Sequence, residues 1–136
     1  LRDEGIKGKF TPLVDNIKGR RLVLIDDSIV RGTTTPQVVK LLKESGAKEI
    51  HLRVCAPPIK YPCHYGIDMP NRSELIASNN SVEEIRVQLG VDSLEYLDIN
   101  QLREAVGGGQ EKYCDACFTG NYPIPVQLEL DKFRLE

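Results

Sequence analysis

The chain's clearest pattern is a short apolar run, Arg21 to Ile25 (RLVLI), which ends abruptly in Asp26-Asp27-Ser28. An unbroken run of this length predicts a strand buried on both faces of a parallel sheet. A loop follows as far as Thr35. A helix then begins with Thr35 as N-cap and Pro36 in its first position, and Val38, Val39, Leu41 and Leu42 form one apolar stripe. Gly46 suits the left-handed residue that closes it. From Glu49 to Cys55, Ile50, Leu52 and Val54 alternate with more polar neighbours, which is the period of a second strand. Strand, helix of about ten residues and strand make a right-handed βαβ unit. Its loop, Asp26 to Thr35, lies at the carboxyl end of the first strand, where open α/β sheets bind ligands.

The flanking segments are less regular. Residues 1 to 20 are polar and broken by Gly5, Gly8, Pro12 and Gly19, so they read as an extended lead-in. After Pro57-Pro58 the chain is loop-like to residue 70. Asn71 to Ser78 and Ser81 to Leu89 read as short helices, and Ser81 with Glu84 three residues on forms a capping box. Leu94 to Leu97 is a candidate short strand, and Asn100 to Val106 a helix ended by Gly107-Gly108-Gly109.

Composition narrows the classes. With 136 residues, 40% hydrophobic and 28% charged, the chain suits one globular domain. A net charge of −2 gives no footprint for nucleic acid or an anionic membrane. No apolar run is long enough to span a bilayer. The first residues lack a signal-peptide core, and position 1 is Leu rather than Met, so an upstream portion is expected. The chain looks neither short nor secreted enough for its four cysteines (55, 63, 114 and 117) to form a disulfide scaffold. Reduced thiols or a metal site, and hence the cytoplasm, are expected.

The loop Val23 to Thr35 (VLIDDSIVRGTTT) carries the chemistry. Backbone amides opening onto a helix N-terminus make a phosphate cradle. Gly32 lets the main chain approach an anion closely, and Thr33 and Thr34 add hydroxyl donors. Asp26 and Asp27 repel a bare phosphate but suit two sugar hydroxyls or a Mg²⁺ ion. Acids at one end and a cradle at the other therefore fit a ribose 5-phosphate. The plainer alternative is that the acids merely end a strand and Thr35 merely caps a helix.

Ile25 to Thr34 resembles the phosphoribosylpyrophosphate loop of the type I phosphoribosyltransferases. The Ser-Ile-Val-Arg centre is similar to that of the amidophosphoribosyltransferase family, which begins purine synthesis. The similarity continues through APPIKYPCHYGIDMPNRSELIAS (56–78), SVEEIRVQLGVDSLEYL (81–97) and KYCDACFTGNYPIP (112–125). The fold it implies is α/β: the second half of a type I phosphoribosyltransferase core with a Rossmann-like parallel sheet, plus a C-terminal helical, Cys-bearing extension. On that basis residues 1–58 form part of the phosphoribosyltransferase domain, with the substrate loop at 25–35, and 59–136 the extension. The N-terminal glutaminase domain that the resemblance implies is expected to be absent from this chain.

By the resemblance, Asp26 and Asp27 contact the ribose hydroxyls and Mg²⁺, Ser28 is a further substrate-binding residue, and Arg31, Gly32, Thr33 and Thr34 hold the 5-phosphate. The implied reaction is attack of ammonia, taken from glutamine, on C1 of phosphoribosylpyrophosphate. It gives phosphoribosylamine, pyrophosphate and glutamate. Implied partners are phosphoribosylpyrophosphate, purine nucleotides as feedback inhibitors, the glutaminase part and further copies in a homo-oligomer. The isolated chain is expected not to turn over. Two other readings remain: another type I phosphoribosyltransferase or a regulator that only binds the substrate, and a metal-stabilised interaction module.

Cys114 and Cys117, in Cys-Asp-Ala-Cys, place two sulfurs one tight turn apart, as in zinc and iron–sulfur sites. Cys63 sits in a loop that needs no core thiol. The resemblance implies that Cys63, Cys114 and Cys117 are three ligands of a [4Fe–4S] cluster whose fourth lies outside this chain. Zinc on three sulfurs with His64 or water is the alternative. Cys55 reads as a small buried hydrophobe. Tyr61 and Tyr65 pack around the cysteines, Arg72, Arg86 and Arg103 lie on solvated helix faces, and His51 is exposed.

Overall fold

The computed structural model describes residues 11–69, 71–108 and 112–124. Its centre is a parallel three-stranded sheet in the order β1 (Arg21–Asp26), β2 (Glu49–Val54), β3 (Ser93–Tyr96). Around it run α1 (Val14–Ile17), α2 (Thr35–Glu44), α3 (Ile76–Asn79), α4 (Val82–Leu89), α5 (Ile99–Ala105) and α6 (Ala116–Thr119). A 3₁₀ turn, Arg72–Glu74, precedes α3.

The alternation in β2 decides which way the sheet faces. Ile50, Leu52 and Val54 are buried at 1%, 0% and 4% exposure, against half-buried Glu49, His51 and Arg53. Their face meets Leu94 of β3, Val39 of α2, Ile76 and Ala77 of α3, and Ile85 and Leu89 of α4 in one continuous core. Parallel register carries the same faces across to β1, where Leu24 stands beside Leu52 and Asp26 beside Val54.

The other face is open and polar. Arg21 and His51 both meet Glu49, and Ser93 bonds to both His51 and Arg53. His51 is thus half-buried and bonded, not exposed as its alternation suggested. Val23 and Ile25 on this face are 65% and 69% exposed. The expectation that β1 is buried on both faces is corrected here. In this chain β1 is an edge strand with one covered face, because covering the other takes atoms that the described residues do not supply.

Other expectations shift in detail. The N-cap of α2 is Thr34, one residue earlier than expected, and Thr35 is already helical and buried. Gly46 closes the helix as expected, at φ +89°. The lead-in holds a short helix, α1, whose Ile17 is buried; residues 1–10 lie outside the described residues. The helix expected over 71–78 is broken at Leu75, whose extended backbone (ψ 115°) separates the 3₁₀ turn from α3. The capping box of α4 forms in both directions, Ser81 with Glu84, and Gly90 closes the helix at φ +71°. Since β3 hydrogen-bonds directly to β2, the sheet is more than one βαβ unit, and its core continues beyond residue 58.

Candidate functional site

Because β1 runs parallel and ends at Asp26, the chain leaves the sheet where α2 begins. The turn between them forms a cavity of about 450 Å³. Its wall is every residue from Asp26 to Thr35, together with Asp68. The acids expected for a sugar diol and the Arg31 to Thr34 backbone expected for a phosphate thus share one hollow.

Each end has a local cause. Asp26 is the last residue of β1, on the helix-covered face, and its backbone carbonyl accepts from the Cys55 amide at 2.9 Å. Burial raises its carboxyl above the usual range, and the Asp27 charge adds to this. The Asp27 amide at 3.0 Å and the Thr35 hydroxyl pull in the opposite direction. Asp27 is exposed and accepts from the Ser28 amide at 2.6 Å. Two neighbouring carboxylates, one partly desolvated, suit ligands that donate hydrogen bonds or carry positive charge.

The cradle end depends on Gly32, at φ +67°. A Cβ there would lie 2.5 Å from Ile76 Cδ1, so the loop rests on α3 at a position whose backbone and close contact both favour glycine. The Ile76 amide donates to the Val30 carbonyl at 3.0 Å, and Arg31 Nε donates to Glu74 Oε2 at 3.1 Å. Beyond Thr34 the ten-residue α2 starts at the cavity wall, which Thr34 and Thr35 line, so the positive pole of the helix lies at this end.

Asp68 is the wall residue that the sequence reading did not single out. It lies in the Gly66-Ile67-Asp68 stretch, whose lack of a hydrophobic period hid its placement. A lone acid in a loop carries no signal until tertiary folding brings it to the cavity.

The cysteines assemble differently. Cys63 and Cys117 are half-buried and Cys114 is exposed. Burial, then the charges of Cys114 and Cys63, push the Cys117 thiol up, which places the three in one electrostatic neighbourhood. The two segments are stitched by the Lys60 and Tyr61 amides, both 3.0 Å from the Cys117 carbonyl, and by Tyr122, whose hydroxyl donates to the Pro62 carbonyl at 2.7 Å. Tyr61 also packs against Gly120. Among the described residues, however, no group of three or more His, Cys, Asp or Glu side chains is placed to hold a metal ion.

The readings of four residues are revised or extended. Cys55 is exposed, not buried, because it lies one step past the last paired residue of β2. Arg103 is not simply solvated: its guanidinium grips Asp115, 7% exposed, inside the Cys-Asp-Ala-Cys turn. Arg72 lies over the Tyr61 ring, 4.9 Å from its centroid, and Arg86 is held by Glu83 and the Val91 carbonyl.

Relatives align with the whole of this architecture. The chain is 50% identical over 131 residues to an amidophosphoribosyltransferase of Archaeoglobus fulgidus, covering 95% of this chain and 29% of that protein. It is 47% identical over 133 residues to the chloroplastic amidophosphoribosyltransferase of Glycine max, covering 97% and 23%.

This chain is homologous to a segment of the amidophosphoribosyltransferases.

Solved structures agree. Glutamine phosphoribosylpyrophosphate amidotransferase from B. subtilis, complexed with ADP and GMP, superposes with a TM-score of 0.78 at 40% identity, over 93% of this chain and 30% of that one. A structure described as the allosteric regulatory enzyme of purine biosynthesis gives 0.81 at 38% identity, over 93% and 29%. The segment spans less than a third of each of these four proteins. No family model matches the chain. Among the described residues no helix is long and apolar enough to cross a membrane.

Proposed function

We propose that the Asp26–Thr35 cavity binds the ribose 5-phosphate part of phosphoribosylpyrophosphate, within an amidophosphoribosyltransferase that acts in the first step of purine synthesis. The observation that carries this is the shared hollow: two adjacent aspartates and the glycine-centred Arg31 to Thr34 loop line one cavity at a helix N-terminus. The carboxylates accept from the two ring hydroxyls. The amides of Arg31 to Thr34 and the hydroxyls of Thr33 and Thr34 donate to the 5-phosphate.

With both ends of the sugar held, C1 is presented to ammonia. The C1–N bond forms as the bond from C1 to the pyrophosphate oxygen breaks, and the leaving group takes that electron pair. The residues here contribute positioning and charge complementarity. The ammonia comes from glutamine through a glutaminase part outside this segment, and purine nucleotides regulate the whole in a cytoplasmic homo-oligomer.

Mg²⁺ fits the acid end, since Asp26 and Asp27 offer hard oxygen donors and phosphate oxygens of a substrate supply others. When bound, it offsets charge on the pyrophosphate. An iron–sulfur cluster fits less completely. Cys63, Cys114 and Cys117 are three thiols where such clusters take four, and no step above depends on them. In this reading they help to tie the 112–124 segment to the 59–65 loop.

Calorimetry with Mg²⁺ and phosphoribosylpyrophosphate tests the proposal on the full-length protein, alongside pyrophosphate release with ammonia as donor. Asp27→Asn should weaken binding about tenfold or more, the worth of one charged hydrogen bond. Binding unchanged by Asp27→Asn would show that the acids merely end a strand. Binding with no pyrophosphate release by the wild type would favour a regulator built on the same fold.

A further inference from the structure

The phosphate loop is suspended from a segment that lies more than forty residues further along the chain. Three contacts make the attachment. Arg31 Nε donates to Glu74 Oε2 at 3.1 Å, the Ile76 amide donates to the Val30 carbonyl at 3.0 Å, and the Ile76 side chain fills the space beneath Gly32. Ile76 is buried in the main core and cannot follow the loop if the loop moves. The Arg31–Glu74 pair is different. Both side chains are about half exposed, at 52% and 48%, and they meet at the rim of the cavity that Arg31 lines.

We infer that Glu74 is a positioning residue for the phosphate-binding loop, acting through Arg31; this rests on the phosphate reading of the loop. Asp27 to Thr34 has no regular structure between β1 and α2; local bonds fix its Asp27–Ser28 end and buried Ile29 anchors its middle, while these three contacts hold the Val30 to Gly32 part. A carboxylate beside a phosphate site should by itself repel the ligand. Glu74 instead spends its charge on Nε, the stem end of the guanidinium. That constrains the side chain and the adjoining backbone, so the Arg31 to Thr34 amides stay convergent. A loop that is ordered before the ligand arrives does not pay the ordering cost on binding. Glu74 therefore assists an anion that it never touches.

Simple electrostatics and positioning predict opposite signs. If the carboxylate acts on the ligand only as a charge, removing it tightens binding. If it positions the loop, removing it weakens binding. The test is steady-state kinetics of phosphoribosylpyrophosphate with ammonia in the full-length protein, with thermal melting run in parallel. Glu74→Ala should raise KM about threefold, the scale of one exposed ion pair, with kcat and Tm unchanged. Glu74→Gln keeps an acceptor oxygen for Nε and should recover part of that loss. In an Arg31→Ala background Glu74→Ala should add nothing.

A fall in KM, an unchanged KM, or an undiminished rise in the Arg31→Ala background would each overturn the inference. Failure of the wild-type protein to bind phosphoribosylpyrophosphate would instead refute the phosphate reading beneath it, so the two failures are distinguishable.

Discussion

Replacing Gly32 with alanine tests the geometry on which the cradle rests. Gly32 sits at φ +67°, where an L-residue with a Cβ costs roughly 1–2 kcal/mol. The added methyl would also lie 2.5 Å from Ile76 Cδ1, a contact that one of them must yield. The two effects sum to about 2 kcal/mol, which for a chain of this size lowers Tm by roughly 6 °C. The loop can relieve the strain only by shifting its amides, so binding of phosphoribosylpyrophosphate should weaken as well. Thermal unfolding followed by circular dichroism reads the first effect and calorimetry the second. Combining Gly32→Ala with Ile76→Val removes Cδ1 and separates the causes. The clash is relieved but the φ strain remains, so the double variant should be about 0.5–1 kcal/mol more stable than the sum of the singles. A Gly32→Ala protein within 0.5 kcal/mol of wild type would refute the left-handed turn. Strict additivity would show that Ile76 does not lie under the loop.

Two further predictions concern titrating groups. The Tyr96 hydroxyl is buried with no hydrogen-bond partner among the described residues, and burial pushes its pKa to about 12. Tyr96→Phe should therefore stabilise the fold by roughly 1 kcal/mol. Because the folded pKa lies above the unfolded value of 10, the wild-type contribution is complete below pH 10 and is lost as pH rises towards 12. A chemical-denaturation series showing no steeper loss than Tyr96→Phe across that window would contradict the burial. For Asp26 the folded pKa is also raised, so its contribution is complete below about 3.8 and is lost as pH rises through the folded value. Asp26→Asn should consequently overtake wild type in Tm above that window without Mg²⁺ or substrate; a constant gap across pH would argue against desolvation as the cause.

Much of this site was legible because its signals are local. The apolar run before Asp26-Asp27, the Gly-Thr-Thr string and Pro36 all lie within sixteen residues, and short-range sterics and hydrogen bonding suffice to predict strand, loop and helix. The alternation of Ile50, Leu52 and Val54 likewise specified a strand with one buried face. The Ser81–Glu84 box announced α4 with its cap. An equivalent box at Asp98 and Gln101, as local in its signal, opens α5.

Other features depended on where distant segments meet. Nothing near Asp68 signals that it will face Asp26, and nothing near Glu74 signals Arg31. Arg103 reads as a solvated cation until Asp115 is buried beside it. Val23 and Ile25 read as core, since apolarity reports a preference for burial and not whether a neighbour supplies it. The sequence by itself determined the elements and the residue types of the loop, because backbone sterics, capping and side-chain period act over a few residues. Tertiary structure alone decided which face of β1 is covered, what supports the phosphate loop and which remote acid lines the cavity. Those outcomes follow from packing between segments brought together by the sheet, and no local pattern encodes them.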